Sequence, residues 1–171
     1  ENIQALAKHK GMDVTDMTAC VLDRPRHEGI IESLRSVGAR VALITDGDVA
    51  GVIATTNPHT GIDLYVGQGG APEGVLAAAA LKCVGGQMLG RLVFRNDDER
   101  KRAERTGITD FDRTYSLNEL ASGDTVFCAT GVTDGSMLSG VKSADGRVHT
   151  HTLVMTSLDG MVRYVRSDHK V

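Results

Sequence analysis

The strongest candidate for chemistry is the glycine-rich segment 67–74, which follows an apolar run at 62–66 and precedes the helix-forming run 75–81. Its four glycines let the backbone turn sharply and bring N–H groups close to a ligand. Pro72 suits the first turn of a helix, whose free N–H groups and partial positive charge attract phosphate. Glu73 would repel such an anion unless a cation lay between them. The segment therefore predicts a metal-assisted phosphate site.

Two arginines flank a proline shortly after the apolar run 17–22. Arg24, Pro25 and Arg26 would hold two guanidinium groups on a stiff turn, which can grip phosphate through paired hydrogen bonds. An ordinary exposed turn is the alternative. His27 comes next, and it could sense the phosphate or simply pack at the start of a helix.

Two aspartates follow the apolar run 41–44, in the order Asp46, Gly47, Asp48. They could ligate a metal or accept hydrogen bonds from sugar hydroxyls, or one could cap a helix that starts at Val49. The glycine-rich segment, likewise, could be only a turn. The three segments are expected at the ends of neighbouring strands, and together they favour a ligand site. Without a ligand, an exposed turn, a helix cap and a glycine turn would all have to fall at the same place by chance.

Other polar groups are weaker candidates. His149 and His151 would share one face of a strand and could pair on zinc, but no third ligand lies nearby, which favours a solvated strand face. The segment 130–135 is a second polar loop that could help to close a pocket, although we favour a simple turn. The charged run 98–102 is typical of a solvated helix face.

Strand–loop–helix units must position the three polar segments. Three such units in tandem predict an α/β fold with a largely parallel sheet and covering helices, and ligands bind at the carboxyl ends of such strands. A short helix is also predicted at 3–11. The predicted strands are 17–22, 41–44 and 62–66, and the predicted helices are 28–37, 49–55 and 72–81.

The second half of the chain predicts antiparallel structure. Residues 147–156 and 161–166 alternate polar and apolar side chains around the hairpin signal Asp159-Gly160. We therefore expect a layered mixed sheet with flanking helices, parallel in its first half and antiparallel at its edge. Residues 1–171 are expected to form a single domain.

Shorter elements complete this half. Further strands are expected at 87–94 and 124–129, and a charged helix with acids first and bases after is expected at 97–105. A helical turn near 116–121 would begin with a capping box, since Ser116 is followed three residues later by Glu119.

Composition narrows the class of protein. The 171 residues are 41% hydrophobic with 4% aromatics and no Trp, which predicts an aliphatic core. The net charge of -3 does not indicate a basic surface that would bind nucleic acid. No apolar run approaches membrane-spanning length. Three cysteines without CxxC spacing predict buried, reduced thiols and a cytoplasmic protein. The start of the chain has no signal-peptide character.

Four segments together resemble the class II fructose-1,6-bisphosphatases, which have the lithium-sensitive, metal-dependent phosphatase fold. The similarity runs through essentially the whole chain, in the same order and at similar spacing, and it is to the carboxyl-terminal half of the family's chain. The segments are 22–27, 46–48, 69–74 and 129–131.

The resemblance implies a role for each polar segment. The segment 22–27 would hold the distal phosphate of the sugar, and the segment 46–48 would contact the sugar itself. The family often has Lys at the position of Arg24. Glu73 would bind Mg²⁺ or Mn²⁺, and no other catalytic residue is expected within this chain. The implied substrate-binding residues are Arg24, Pro25, Arg26, Asp46, Gly47, Asp48 and Gly70.

The resemblance also implies a reaction. It is hydrolysis of the 1-phosphate of fructose 1,6-bisphosphate to fructose 6-phosphate and phosphate, a step of gluconeogenesis, with sedoheptulose 1,7-bisphosphate as a possible second substrate. The family's amino-terminal half supplies the other metal-binding acids and is missing here. We therefore expect this chain to be inactive alone and to expose apolar surface meant for that half. A homo-oligomer, a dimer or a tetramer, is also expected.

Two other classes of function stay open. The glycines of 67–74 form a loose version of the dinucleotide-binding fingerprint, which would make the chain a Rossmann-like nucleotide-binding module. Against it, Glu73 would face the pyrophosphate, and no acid clearly ends the next strand. The third class is a purely structural partner subunit without a ligand of its own.

Overall fold

A computed structural model describes residues 1–170, which form six α-helices and nine β-strands. The helices are α1 (Asn2–Lys10), α2 (Glu28–Ser36), α3 (Asp48–Ala54), α4 (Ala71–Cys83), α5 (Asp97–Arg105) and α6 (Leu117–Leu120). The strands are β1 (Thr18–Leu22), β2 (Arg40–Ile44), β3 (Leu64–Tyr65), β4 (Leu89–Arg91), β5 (Thr114–Ser116), β6 (Val126–Thr130), β7 (Lys142–Ala144), β8 (Arg147–Thr156) and β9 (Val162–Lys170).

The first half contains the predicted parallel sheet, with strand order β2-β1-β3. β1 lies in the centre and pairs in parallel with both neighbours. Its residues from Ala19 to Leu22 are all buried, because helices cover both faces of the strand. α1 and α2 pack on one of these faces, where Ile3, Ala7, Ile31 and Leu34 contact Ala19 and Val21.

A second helical layer, α3 and α4, lies between the parallel sheet and the second half of the chain. Ala77 of α4 clusters with Val52 of α3 beneath Tyr65, whereas Ala80 packs against the antiparallel strands. Alanine suits this position because its small side chain lets α4 approach neighbours on both sides. Gly51 serves the same purpose in α3, since an added Cβ would lie 2.9 Å from the Ile44 side chain.

The second half forms two antiparallel sheets of its own. β6 and β7 pair with one edge of β8, β9 pairs with the other, and β4 and β5 make a separate ribbon. The α/β class, the parallel first half and the antiparallel second half are confirmed. The antiparallel strands are not an edge of the parallel sheet, however, because α4 separates them from it.

Most helices and strands lie where the sequence predicted them, with a few exceptions. α5 has the predicted bounds, and α6 begins with the predicted capping box. The strand expected at 87–94 shortens to β4, and β5 and β7 were not anticipated. Three-residue strands are too short to show an alternating pattern.

The outer face of the β6–β8–β9 sheet carries apolar and β-branched side chains. Phe127, Leu153 and Met155 point towards α4, so the alternate residues lie on the opposite face. Val126 there is 69% exposed. Cys128 is also exposed, which corrects the prediction of three buried thiols; Cys20 and Cys83 are buried. Within residues 1–170, no helix is long and apolar enough to cross a membrane.

Candidate functional site

The three polar segments meet at one edge of the parallel sheet. β1, β2 and β3 run in the same direction, so their carboxyl ends lie side by side. Backbone hydrogen bonds extend the pairing past the strands, from Asp23 N to Ile44 O (2.8 Å) and from Val66 N to Cys20 O (3.1 Å). The segments are thus aligned before any side chain is considered.

Arg24 joins the first segment to the second. Its Nη1 donates to Asp23 O at 2.8 Å, and its Nη2 donates to Thr45 O at 2.7 Å. The guanidinium is half-buried between the ends of β1 and β2. Its positive charge is therefore held at the sheet edge by backbone carbonyls, and no carboxylate within residues 1–170 forms an ion pair with it.

Arg26 joins the first segment to the glycine-rich segment. Its Nε donates to Gln68 O at 2.8 Å, and the side chain is otherwise exposed. Among residues 1–170, no hydrogen-bond acceptor meets its two terminal nitrogens. Because a guanidinium donates as a planar fork, these nitrogens remain able to bind an anion.

His27 is a polar side chain buried in the core, with 0% exposure. Its Nδ1 lies 2.8 Å from Leu22 O, and its Nε2 lies 2.8 Å from Gln68 N, which donates to it. The ring therefore connects the end of β1 to the glycine-rich segment. The sequence left open whether His27 senses phosphate or packs at the helix start, and the structure places it in packing.

The two aspartates of the second segment lie at the start of α3. Asp46 Oδ1 accepts from Gly47 N at 2.8 Å, and Asp48 Oδ1 accepts from Val49 N at 2.9 Å. The residue that precedes the helix is Gly47, in the left-handed conformation with φ of 78°. Asp48 is itself the first residue of α3, so neither aspartate stands at the N-cap position and the predicted capping of a helix that starts at Val49 is wrong.

Asp48 instead faces the glycine-rich segment. Its Oδ2 lies 3.4 Å from the position that a Cβ on Gly69 would occupy. Tyr65 stands beside it, and burial together with the negative charge of Asp48 raises the pKa of Tyr65 to about 12. Tyr65 is thus a neutral hydrogen-bonding group at the site. Sequence reasoning missed it, although it is the aromatic residue just before the glycines.

Glu73 lies in the first turn of α4 and is exposed. Its carboxylate folds back over Gly70, so an added Cβ at Gly70 would overlap Glu73 Oε2. Glycine at position 70 therefore leaves the space that this carboxylate occupies. The Glu73 carboxylate thus lies at the start of α4, against Gly70.

A divalent cation would find only part of a site in this chain. A carboxylate oxygen such as that of Glu73 suits Mg²⁺, which takes oxygen ligands. Within residues 1–170, however, no three His, Cys, Asp or Glu side chains cluster closely enough to hold a metal. The Glu73 carboxylate is thus a suitable ligand for a hard cation such as Mg²⁺, but the described residues offer too few ligands to hold one.

The remaining candidates are engaged in structural contacts. His149 Nδ1 lies 2.5 Å from Asp168 Oδ1, and this hydrogen bond lowers the pKa of the Asp168 carboxyl. His151 Nδ1 accepts from Ser139 N at 3.1 Å. The segment 130–135 begins at the last residue of β6, in the other sheet, and continues as a bend, where Asp134 Oδ1 accepts from Gly140 N at 2.9 Å.

Comparison with known proteins gives a family and relatives. Residues 1–169 match the family described as bacterial fructose-1,6-bisphosphatase, glpX-encoded. A relative from Synechococcus sp. (strain JA-3-3Ab), named D-fructose 1,6-bisphosphatase class 2/sedoheptulose 1,7-bisphosphatase, is 39% identical over 182 residues. This alignment covers 99% of the chain and 52% of the relative.

A relative of the same name from Prochlorococcus marinus (strain NATL1A) is 39% identical over 183 residues, which cover 99% of the chain and 55% of that protein. The chain thus spans about half the length of the curated relatives it matches. The family match extends over nearly the whole chain and includes all three polar segments at the sheet edge. The chain therefore belongs to the bacterial, glpX-encoded fructose-1,6-bisphosphatase family.

Proposed function

We propose that this chain is the substrate-phosphate-binding part of a metal-dependent phosphatase that hydrolyses the 1-phosphate of fructose 1,6-bisphosphate. One observation carries the proposal. Arg26 and Asp48 come from two separate polar segments, and both lie against the glycine-rich segment that carries Glu73. Cationic, hydroxyl-binding and metal-binding chemistry are therefore available side by side.

The chain's own residues would bind and orient the substrate. The free terminal nitrogens of Arg26, with the charge of Arg24, would hold the distal phosphate. Asp46 and Asp48 would accept hydrogen bonds from the sugar hydroxyls, and Gly70 would let the backbone approach the substrate closely. Fixing the far end in this way orients the 1-phosphate for attack by water.

Glu73 would be one ligand of a divalent cation, Mg²⁺ or Mn²⁺. Such an ion polarises a phosphate and lowers the pKa of a water. The other ligands would come from outside this chain, since its described residues offer no cluster of three. We propose that the part of the parent protein upstream of this chain supplies them, together with the group that activates the water.

The exposed apolar surface supports a missing partner of this kind. The matched relatives continue for about as many residues again beyond the aligned region. We propose that the upstream half covers α4 at its exposed end and the outer face of the β6–β8–β9 sheet. The exposed apolar residues there are Val75, Leu76, Val126 and Val165.

Two further properties belong to the same proposal. The assembled protein would be a homo-oligomer, a dimer or a tetramer; β9 leaves its outer edge unpaired within residues 1–170. It would work in the cytoplasm, in keeping with the free, buried thiols of Cys20 and Cys83. Sedimentation of the full-length protein tests the first property, and cell fractionation tests the second.

Sedoheptulose 1,7-bisphosphate is a second candidate substrate, because the matched relatives carry both activities in their names. A Rossmann-like module is less well supported. The Glu73 carboxylate folds over Gly70, where the pyrophosphate of a dinucleotide would have to lie.

Ligand protection separates these functions. We expect fructose 1,6-bisphosphate with Mn²⁺ to raise the melting temperature of the chain, because a ligand that binds only the folded state stabilises it. NAD should leave the melting temperature unchanged. Protection by NAD alone would favour the nucleotide-binding module, and a stable complex with the upstream half but no response to any ligand would favour a structural subunit.

A further inference from the structure

The backbone of Gln68 is held by two neighbouring side chains. Its N–H donates to His27 Nε2 at 2.8 Å, and its carbonyl oxygen accepts from Arg26 Nε at 2.8 Å. Gln68 stands in the middle of the glycine-rich segment, between Gly67 and Gly69. Glycines alone would leave this backbone free to adopt many conformations, so these two bonds define its position.

The hydrogen-bond geometry of His27 indicates which ring nitrogen donates and which accepts. Nε2 lies 2.8 Å from Gln68 N, whose N–H points at it, and 3.1 Å from Gln68 O. We assign the shorter contact as the hydrogen bond, which makes Nε2 the acceptor and leaves it without a proton of its own. Nδ1 faces the carbonyl oxygen of Leu22 at 2.8 Å, so Nδ1 must carry the proton and donate it. The ring is therefore the neutral Nδ1–H tautomer, with both nitrogens satisfied in a fully buried position.

The ring also lies directly against the segment it holds. A Cβ built on Gly67 would lie 3.4 Å from His27 Cε1 and 3.4 Å from the Tyr65 hydroxyl. The imidazole and the phenol thus line the same stretch of backbone. Leu22 ends β1 and Tyr65 ends β3, so the ring links two strand ends through one side chain.

We propose that His27 is a positioning residue, and that its neutral Nδ1–H tautomer fixes the Gln68 backbone so that Arg26 presents both terminal nitrogens to the distal phosphate. The inference rests on the proposed function for the identity of that phosphate. His27 does not contact the substrate in this arrangement. It acts by holding Gln68 O where Arg26 Nε can reach it, which orients the guanidinium fork.

Two substitutions of His27 separate the roles of its nitrogens. His27→Gln places an amide oxygen near the position of Nε2 and can still accept from Gln68 N. His27→Asn places an amide N–H near the position of Nδ1 and can still donate to Leu22 O, but it loses the acceptor for Gln68. Both variants replace the buried ring with a smaller amide side chain, so both lose some packing.

The experiment uses the 171-residue chain and three measurements. Long-range ¹⁵N–¹H NMR reports the tautomer of His27, amide hydrogen exchange reports protection of Gln68 N–H, and titration with fructose 1,6-bisphosphate gives a dissociation constant. We expect the Nδ1–H tautomer and a protected Gln68 amide in the wild type. We expect His27→Asn to lose that protection and to bind about tenfold more weakly, the equivalent of about 1.4 kcal/mol, and His27→Gln to retain most of both.

Arg26→Lys tests the same arrangement from the other side, at an exposed position where folding is not at risk. Lysine keeps the charge but cannot bond Gln68 O and offer a fork to phosphate at once. We expect weaker binding of the bisphosphate, with the His27 tautomer and the Gln68 protection unchanged.

Several results would overturn the inference. These are an Nε2–H tautomer in the wild type, an unprotected Gln68 amide, or equal affinities for the Asn and Gln variants. A wild-type chain that binds no bisphosphate would instead count against the proposed function. The tautomer and the Gln68 protection would then still decide whether His27 holds the segment.

Discussion

At the scale of single residues, Glu73 should be the group on which turnover depends most. Glu73→Gln preserves size and removes the negative charge that a cation needs. In the enzyme assembled from this chain and the proposed upstream half, we expect kcat to fall on the order of 100-fold, in line with the loss of a metal-site partner. The measurement is phosphate release from fructose 1,6-bisphosphate with Mn²⁺.

Glu32→Gln is the matched control, because Glu32 is an exposed glutamate on α2 away from the sheet edge. It should leave kcat unchanged. Equal kinetics for the wild type and Glu73→Gln would remove Glu73 from the metal site.

Arg26 should affect substrate binding more than turnover. Arg26→Ala removes the guanidinium that bridges to Gln68 and faces solvent with its terminal nitrogens. If the distal phosphate supplies binding that is equal in the ground state and the transition state, KM rises and kcat stays nearly constant. Steady-state kinetics on the assembled enzyme measure both.

Arg35→Ala, an exposed arginine in the last turn of α2, provides the control. A fall in kcat with unchanged KM would mean that the distal phosphate aligns the reacting end. Unchanged KM and kcat for Arg26→Ala would mean that the distal phosphate does not bind at Arg26.

At the scale of elements, the position of the Glu73 carboxylate at the start of α4 depends on Gly70 having no side chain. Gly70 has φ of -69° and ψ of 149°, which alanine also adopts, so Gly70→Ala should barely change the free energy of unfolding. The new Cβ would overlap Glu73 Oε2 and displace that carboxylate. We therefore expect metal-dependent turnover to drop while urea denaturation shows a normally stable protein.

Gly74→Ala is the control within the same helix. A Cβ at Gly74 would meet nothing within 4 Å, and alanine favours the helix over glycine by about 1 kcal/mol. Stability should rise and turnover should stay constant. If both alanine variants retain full activity, the position of Glu73 over Gly70 has no function.

The capping box of α6 should make the free energy of unfolding depend on pH in the acidic range. Glu119 Oε2 accepts from Ser116 N at 2.8 Å and from Ser116 Oγ at 2.7 Å, and Arg113 contacts its other oxygen. These bonds, led by that from the Ser116 backbone, lower the pKa of Glu119 to about 2. The carboxyl therefore stays ionised in the folded protein at pH values where it is protonated in the unfolded chain.

The resulting stability is fully present above the ordinary glutamate pKa of 4.5 and is lost as pH falls towards 2. Glu119→Gln should flatten the dependence of unfolding free energy on pH across that window, as followed by urea denaturation. Glu104→Gln, at an exposed position of α5, should leave the slope unchanged. An identical slope for the wild type and Glu119→Gln would exclude this contribution.

Local patterns explain why so many elements could be predicted. The three polar segments were found because each follows an apolar run, and parallel strands bring their carboxyl ends together. The hairpin of β8 and β9 was visible in its alternation. β5 and β7 were not, since three residues are too few to show a period.

Contacts between distant backbone and side-chain groups explain what the sequence could not show. The partner of His27 is the Gln68 N–H, 41 residues away, and a backbone partner leaves no trace in residue types. The separation of the two main sheets was hidden as well. It depends on α4, whose alanines are buried towards both sheets and so lack a single apolar stripe.

At the scale of the whole molecule, the layers run from α1 and α2 through the parallel sheet to α3 and α4, and then to the antiparallel sheet. The last layer has its outer face exposed, with Val126 at 69% and Val165 at 40% exposure. An upstream half that covers this face and adds carboxylates beside Glu73 would complete both the packing and the cation site.

Reconstitution tests the central claim most directly. The 171-residue chain and the separately produced upstream half are assayed alone and together for phosphate release from fructose 1,6-bisphosphate with Mg²⁺ or Mn²⁺. We expect turnover only from the mixture, and only with a divalent cation present. Robust turnover by the 171-residue chain alone would contradict it, as would a stable complex of the two halves that releases no phosphate.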